Sequence, residues 1–157
     1  EIVPQALALI PAAQRPVVTH QSGASQIDAL RANYEAAGVQ ADCTPFIEDT
    51  ATAFADADII VCRAGASTVT EIAAVGAAAI FVPFPSAVDD HQTTNAQFLV
   101  DAGGGWLVQQ RDLTPEGLSQ MLLKLERPAL VEIAEKAKNM QKINATREVV
   151  TACEELA

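Results

Sequence analysis

Residues 58–95 restrict the fold of this chain more than any other stretch, because they repeat one pattern twice. In each repeat an apolar strand, at residues 59–62 and again at 79–83, ends in polar residues and leads into a helix. Strands that alternate with helices of about 10–15 residues form βαβ units, which build a parallel sheet with right-handed crossovers. Ligands of such folds bind at the C-terminal ends of the strands. We therefore predict an α/β fold with a Rossmann-like parallel sheet and a binding site at that edge.

The rest of the chain continues the alternation. Further strands are predicted at 17–20, 41–47 and 106–109. Helices are predicted from about 24 to 37, ended by Gly38, after 48, at 67–75 and, beyond a loop that carries residues 89–92, up to about 103. Thr114 and Pro115 start a last helical region, which runs to about 156 with breaks near Pro128 and Asn144. We expect strand 17–20 to be buried and strand 59–62 to be buried on both faces. Residues 1–13 have the apolar spacing of a helix, whereas a doubly wound domain starts with a strand. We therefore expect this domain to lack its first strand.

Composition and charge exclude several classes of protein. Hydrophobic residues make up 50% of the 157 residues and charged residues 19%, which is typical of one globular domain. The formal net charge is -10, with 10 Lys and Arg against 20 Asp and Glu. Nucleic acids and anionic lipids require clustered cations, so we predict no nucleic-acid binding and no membrane contact through this chain. A bound phosphate would have to be held by backbone N–H groups and a helix dipole.

Metal and nucleophile chemistry find little support in the sequence. Cys43, Cys62 and Cys153 lack metal-like spacing, and we interpret them as small buried residues in a reducing compartment. Two histidines, His20 and His91, are too few for a metal site. We therefore predict neither a metal nor a cofactor.

The first candidate site follows strand 59–62. Gly65 allows a tight turn and the close approach of a ligand, and Ser67 and Thr68 supply hydroxyls beside the free N–H groups of a helix start. Glu71, one helical turn on, could accept hydrogen bonds from the two hydroxyls of a ribose. A capping box is the alternative, in which Ser67 or Thr68 caps the helix and Glu71 returns the bond. Spacing alone leaves both open.

The second and third candidate sites follow the other strands. The loop after 79–83 carries Asp89, Asp90, His91, Gln92 and Asn95. Amide side chains can bond sugar hydroxyls as donors and as acceptors, although ordinary chemistry of a first helical turn is the alternative. His20 and Gln21 end strand 17–20 before Gly23, and Ile47 could present its backbone N–H and C=O to a base. Without further support, a turn or core role is favoured for Ile47.

These residues, taken together, resemble a known family. The motifs are CRAGASTVTEIAAVG, IFVPFP and DDHQTTNA, with HQSG upstream and PFIED between. They resemble the MurG family of bacterial N-acetylglucosaminyltransferases, which convert lipid I to lipid II in peptidoglycan synthesis. The resemblance covers nearly the whole chain and implies the C-terminal, donor-binding domain of a GT-B glycosyltransferase. Two departures are Gly76-Ala77-Ala78 in place of a proline-containing turn, and the absence of the family's GGS-x-GA loop with the strand before it.

The resemblance also implies roles for single residues. The backbone of Ile47 would read uracil, Thr68 would lie near the phosphates, Glu71 would bind the ribose, and Gln92, with His91, would contact N-acetylglucosamine. The implied donor-binding set, in which the last four are less firmly placed, is Ile47, Ala66, Ser67, Thr68, Val69, Thr70, Glu71, His91, Gln92, His20, Gln21, Gly65 and Asn95.

The resemblance further implies what an intact protein would do. It would be an inverting enzyme whose partners are UDP-N-acetylglucosamine and lipid I, peripheral on the cytoplasmic face of the inner membrane. Residues 1–157 would form the donor-binding domain, incomplete at its N-terminus. The acceptor domain, with membrane contact and catalytic base, would be absent, so this chain alone should be inactive. Alternatives are the donor half of another GT-B glycolipid glycosyltransferase, a sugar-nucleotide epimerase and a non-catalytic nucleotide-binding module.

Overall fold

A computed structural model describes residues 1–85 and 90–156. The chain divides into two compact units: unit 1 comprises Glu1–Ala53 and Arg111–Glu126, and unit 2 comprises Phe54–Gln110 and Arg127–Ala157. In chain order the elements are α1 (Ile2–Ala8), β1 (Thr19–Gln21), α2 (Ile27–Ala36), β2 (Asp42–Thr44), α3 (Thr50–Asp56), β3 (Ile60–Cys62), α4 (Ala66–Val75), β4 (Ala79–Phe81), α5 (His91–Val100), β5 (Trp106–Leu107), α6 (Pro115–Lys124), α7 (Arg127–Asn139) and α8 (Ala145–Glu155). Strands and helices alternate from β1 to β5, as the sequence predicted.

Unit 1 contains a two-stranded parallel sheet in which β1 pairs with β2, with His20 opposite Cys43. The expectation of a buried strand at 17–20 is wrong. Val17 is fully exposed, and β1 begins after it with residues that are exposed or half-buried. The core of this unit is supplied mainly by helices and their ends, through Leu7, Ile10, Leu30, Tyr34 and Val39. Polar residues can therefore occupy β1.

The first helix is shorter than its apolar spacing predicted. It ends at Ala8, and the side chain of Arg15 turns back to its C-terminus. The Arg15 Nε atom donates to the Leu7 and Ile10 carbonyls, both at 2.9 Å, and Nη2 donates to the Ala8 carbonyl at 3.3 Å. A cation at this end of a helix satisfies carbonyls that lack intrahelical partners and complements the helix dipole.

Unit 2 contains a three-stranded parallel sheet in the order β3-β4-β5. The central strand β4 is fully buried, and Phe81 pairs with Cys62 on one side and Leu107 on the other. This register brings the C-terminal ends of the three strands to one edge. The expectation that strand 59–62 is buried on both faces is wrong, because β3 is the edge strand of this sheet and Val61 is 37% exposed.

The helix α7 closes unit 2 over two glycine-containing loops. Gly76 ends α4 with φ of 78°, and a Cβ atom there would lie 3.0 Å from the Lys138 side chain. Lys138 donates through Nζ to the Ala74 carbonyl near the end of α4. A Cβ atom on Gly104 would lie 2.9 Å from the backbone of Ala137. These contacts hold α4, and with it the candidate site at its other end.

No helix within the described ranges combines the length and the hydropathy needed to cross a bilayer.

Candidate functional site

The residue Ala64, between β3 and α4, organises the strand ends of unit 2. It is completely buried, and both of its backbone polar groups bond to side chains of α5. Its N–H donates to Gln92 Oε1 at 3.3 Å, and its carbonyl accepts from Asn95 Nδ2 at 3.1 Å. The Phe84 N–H donates to the same Gln92 oxygen at 3.0 Å. Two amides predicted at this edge are therefore brought to the turn that precedes α4.

The N-terminus of α4 carries no capping box. The helix begins at Ala66, its N-cap is Gly65, and no side chain among the described residues forms a capping hydrogen bond. Ser67 and Thr68 are thus the second and third helical residues, and Glu71 is exposed in the second turn, too far along to close a capping box. The structure therefore excludes the capping box, and the anion site stays a prediction.

Gly65 leaves space rather than shaping the backbone. Its φ of -62° and ψ of 148° are open to any residue, so the expected tight turn does not require glycine. A Cβ atom built on it would meet only Thr68 Oγ1, at 3.8 Å. The missing side chain therefore keeps the approach to the helix start clear.

The remaining residues predicted along α4 divide by face. Val69 is 4% exposed and its side chain packs in the core, so a ligand could meet only its backbone. The Thr70 hydroxyl donates to the Ala66 carbonyl at 2.8 Å within the helix. Ala66, Ser67 and Glu71 are exposed, whereas Thr68 is half-buried beside Gly65.

The start of α5 is held by a chain of polar contacts. Asp90, its N-cap, has φ of 53°, a left-handed conformation that is uncommon outside glycine. Its Oδ1 accepts from the Thr93 hydroxyl at 2.6 Å, and that hydroxyl accepts from Gln109 Nε2 at 3.0 Å. The next residue, His91, is exposed at the head of the helix. Asp89, also named from the sequence, lies outside the described residues.

Arg63 is a residue that the sequence interpretation missed. Its Nη1 atom donates to the carbonyls of Val82 and Pro83, both at 3.1 Å. Its guanidinium carbon lies 5.4 Å from the centre of the Phe84 ring. The available signal was its position, because a cation between an apolar strand and Gly65 is unexpected in so acidic a chain.

In unit 1, Gln21 and Ile47 are brought into direct contact. The Ile47 N–H donates to Gln21 Oε1 at 2.9 Å. The Ile47 N–H that was predicted to meet a base is therefore engaged, whereas the residue is only half-buried.

His20 is paired with Tyr34 in the same unit. Its Nδ1 lies 2.9 Å from the Tyr34 hydroxyl, and the two rings meet edge to face. Burial lowers the pKa of His20 and raises the pKa of Tyr34 to about 12. The lowered pKa favours the neutral imidazole, whose Nδ1 can accept a hydrogen bond from the Tyr34 hydroxyl.

The cysteines and acidic residues that the structure describes form no metal site. Within residues 1–85 and 90–156, no group of three His, Cys, Asp or Glu is placed to hold a metal ion. Burial raises the pKa of the Cys62 thiol to about 12, so this thiol stays protonated at neutral pH. The expectation that all three cysteines are buried is wrong, because Cys153 is exposed.

Comparison with known proteins identifies the domain. The family model of the glycosyltransferase family 28 C-terminal domain matches residues 1–152. The chain belongs to this family. A curated relative from Paracidovorax citrulli is 79% identical over 156 residues, and one from Cupriavidus necator is 60% identical over 157. Both relatives are named UDP-N-acetylglucosamine–N-acetylmuramyl-(pentapeptide) pyrophosphoryl-undecaprenol N-acetylglucosamine transferase, which confirms the resemblance to the MurG family.

The chain spans 44% of the length of these two relatives while nearly all of the chain is matched. Among solved structures, Acinetobacter baumannii MurG matches with a TM-score of 0.88 and 44% identity, covering 98% of this chain and 46% of that one. The glycosyltransferase VinC, solved with dTDP, matches with a TM-score of 0.67 and 20% identity, covering 99% of this chain and 37% of that one, which speaks for the fold alone. The predicted fold class, an α/β domain with a Rossmann-like parallel sheet that forms the C-terminal domain of a glycosyltransferase, is confirmed.

Proposed function

We propose that this chain is the donor-binding part of an inverting transferase that moves N-acetylglucosamine from UDP-N-acetylglucosamine to lipid I, giving lipid II for peptidoglycan synthesis. One observation carries the proposal: the start of α4 has no side-chain cap among the described residues and lies open over Gly65. The names of the relatives supply the identity of donor and acceptor.

The chemistry needs a site for a charged leaving group. The 4-hydroxyl of the acceptor sugar gives its proton to a base and attacks the anomeric carbon of the donor. The bond from that carbon to the diphosphate breaks, and UDP departs with the bonding electrons. First-turn N–H groups of α4 and the helix dipole stabilise the negative charge that develops on the diphosphate. No metal ion is needed for that charge in this mechanism. EDTA should therefore leave the activity of the intact enzyme unchanged. A loss of activity on adding EDTA would contradict this step.

In this proposal each group of the donor has its own contact residue. Thr68 lies beside the diphosphate, and the exposed Glu71 accepts from the ribose. Gln92 offers its Nε2 donors to the sugar, because its oxygen is already engaged. In unit 1 the Ile47 carbonyl can accept from uracil, and its N–H becomes available where a ligand replaces Gln21.

The rest of an intact enzyme would supply the other parts of the reaction. The proposal assigns lipid I binding, the catalytic base and contact with the cytoplasmic face of the inner membrane to the length that the relatives have beyond this chain. The chain alone is then expected to lack transferase activity.

Binding measurements test the donor assignment. Calorimetric titration of an intact enzyme carrying this chain should show UDP-N-acetylglucosamine binding more tightly than UDP-glucose, dTDP or NAD. Equal affinity for all four would instead support a non-catalytic nucleotide-binding module, and turnover of the donor without acceptor would support an epimerase.

Substitution of Glu71 tests the ribose contact. Glu71→Ala should weaken the binding of uridine nucleotides about tenfold, which is the loss expected for a hydrogen bond to a charged group. The thermal unfolding temperature should stay unchanged. Glu135→Ala, which changes another exposed helix glutamate of unit 2, is the matched control and should leave affinity unchanged. Unfolding of the Glu71 variant would mean that the residue is structural.

A further inference from the structure

We propose that Arg63 is a positioning residue that decides which face of the Gln92 amide a ligand meets. This inference rests on the proposed function for the identity of that ligand. The geometry that suggests it is a set of contacts among the turn after β3, a short loop segment at residues 82–84 after β4, and the first turn of α5.

The key element is the peptide group that joins Pro83 to Phe84. Its carbonyl accepts from Arg63 Nη1 at 3.1 Å, and its N–H donates to Gln92 Oε1 at 3.0 Å. A trans peptide group is planar, with its oxygen and hydrogen on opposite sides. Fixing the oxygen with a charged donor therefore aims the N–H, and Arg63 sets the direction in which that N–H meets Gln92.

Two further contacts of Arg63 restrain the same loop. Its Nη1 also donates to the Val82 carbonyl at 3.1 Å, and its guanidinium lies over the Phe84 ring. A planar guanidinium can bond carbonyls at its edge while its face contacts an aromatic ring, whereas an ammonium group has no such planar edge and face. Residues 82–84 are thus held both through their carbonyls and through the Phe84 ring.

The consequence appears at the Gln92 side chain. Its Oε1 accepts from Ala64 N–H and from Phe84 N–H, so that both of these donors meet one oxygen. A flipped amide would point its own N–H groups at two N–H donors, which is repulsive. The amide therefore presents Nε2 to a ligand and selects a hydrogen-bond acceptor, such as a sugar hydroxyl or an acetamido oxygen.

Loss of Arg63 would release the Pro83–Phe84 peptide group and weaken this selection. UDP lacks the N-acetylglucosamine that would meet the Gln92 amide, so the affinity for UDP should be unaffected. A direct contact between Arg63 and the diphosphate makes the opposite prediction, because UDP and UDP-N-acetylglucosamine would both bind less tightly. The two roles are therefore separable by comparing these ligands.

The experiment measures dissociation constants for UDP and UDP-N-acetylglucosamine in an intact enzyme carrying this chain. Arg63→Gln should weaken binding of the sugar nucleotide roughly tenfold, as expected for the loss of a charge-assisted bond, and should change the dissociation constant of UDP by less than about twofold. Arg63→Lys should show the same selective loss, because it keeps the charge without the planar fork. Arg127→Gln removes another exposed arginine of unit 2, paired with Asp58 at 3.1 Å, and should change neither constant.

A double substitution tests whether the effect passes through Gln92. Arg63→Gln combined with Gln92→Ala should bind the sugar nucleotide no more weakly than Gln92→Ala alone. Additive losses, equal losses for both ligands, or wild-type affinity in Arg63→Lys would each overturn the proposal.

A measurement without ligand separates this inference from the proposed function. In Arg63→Gln, amide hydrogen exchange at Ala64 and Phe84 should accelerate, whereas Arg127→Gln should leave it unchanged. Unchanged exchange would overturn the positioning role even if UDP-N-acetylglucosamine binds as proposed. If exchange accelerates in an enzyme that does not bind UDP-N-acetylglucosamine, the positioning role of Arg63 is supported and the proposed function is refuted.

Discussion

Both units of the chain use a glutamine oxygen to receive backbone N–H groups at the end of a parallel strand pair. In unit 1, Gln21 accepts from Ile47 in the loop after β2. In unit 2, Gln92 accepts from Ala64 and from Phe84, the residues that follow β3 and β4. The device is the same, but its surroundings are not.

The difference lies in burial and in the number of partners. Gln21 is exposed and makes one such bond, whereas Gln92 is half-buried, makes two, and is accompanied by Asn95 and Arg63. An exposed bond competes with water and is replaced at little cost, while an unpaired buried N–H is costly. The Gln21 contact of unit 1 is therefore easily replaced, whereas the Gln92 contacts of unit 2 are pre-organised.

The sheets of the two units also differ in burial, and again the sheet of unit 2 is the more buried. All three residues of β4 are buried, whereas β1 has exposed residues on both sides of half-buried His20.

The largest expected effect therefore comes from the centre of unit 2. Phe81→Ala should lower the free energy of unfolding by about 3–5 kcal/mol, because it leaves a cavity around a fully buried ring. Phe46→Ala, at a 66% exposed phenylalanine of unit 1, is the control and should change it by less than about 0.5 kcal/mol. Denaturant titration measures both, and similar losses would remove the contrast.

Arg15 is the contact in unit 1 that should behave like a buried one. Arg15→Gln should cost on the order of 2 kcal/mol of unfolding free energy, because three carbonyls at the end of α1 lose a charged donor. Arg31→Gln, which loses an exposed pair with Asp28 at 4.0 Å and an exposed bond to the Cys43 carbonyl at 3.5 Å, should cost well under about 1 kcal/mol. Equal costs in urea titrations would show that α1 does not depend on this arginine.

The two glutamines provide the direct test of the comparison. Gln92→Ala should lower the free energy of unfolding by about 1–2 kcal/mol, since it leaves the buried Ala64 N–H without its acceptor. Gln21→Ala should cost less than about 0.5 kcal/mol, because water replaces it at Ile47. The comparison fails if the two variants lose the same stability in parallel denaturant titrations.

The smallest effect concerns His20 and the pH dependence of this 157-residue chain. Burial, with a lesser contribution from the positive α-amino group of Glu1, holds the pKa of His20 below its usual 6.5. A histidine with a lowered pKa stabilises the fold above pH 6.5, and that stability is lost as the pH falls through the folded-state pKa. Proton NMR should show a His20 midpoint below 6.5, with the midpoint moving in Tyr34→Phe. A midpoint above 6.5 would contradict the pairing.

Local chemistry was readable from the sequence alone. Thr114 before Pro115 predicted the start of α6, and its hydroxyl indeed accepts from the Gly117 N–H at 3.0 Å. Gly38 was predicted to end α2 and has φ of 63° directly after the helix cap. Alternation of strands and helices likewise predicted the parallel α/β class, and the motifs around Gly65 and Gln92 predicted the family. These features depend on neighbours within a few residues, so the order of residues suffices to specify them.

Tertiary structure alone decided what the candidate site residues touch. Spacing left a capping box and an anion site equally open, and the start of α4 at Ala66 excluded the capping box. The roles of Arg63 and Gln92 depend on carbonyls and N–H groups that lie 8 to 28 residues away in the chain. Such pairs form only once parallel strands are aligned in register, because a hydrogen bond requires a specific distance and direction that sequence separation does not encode.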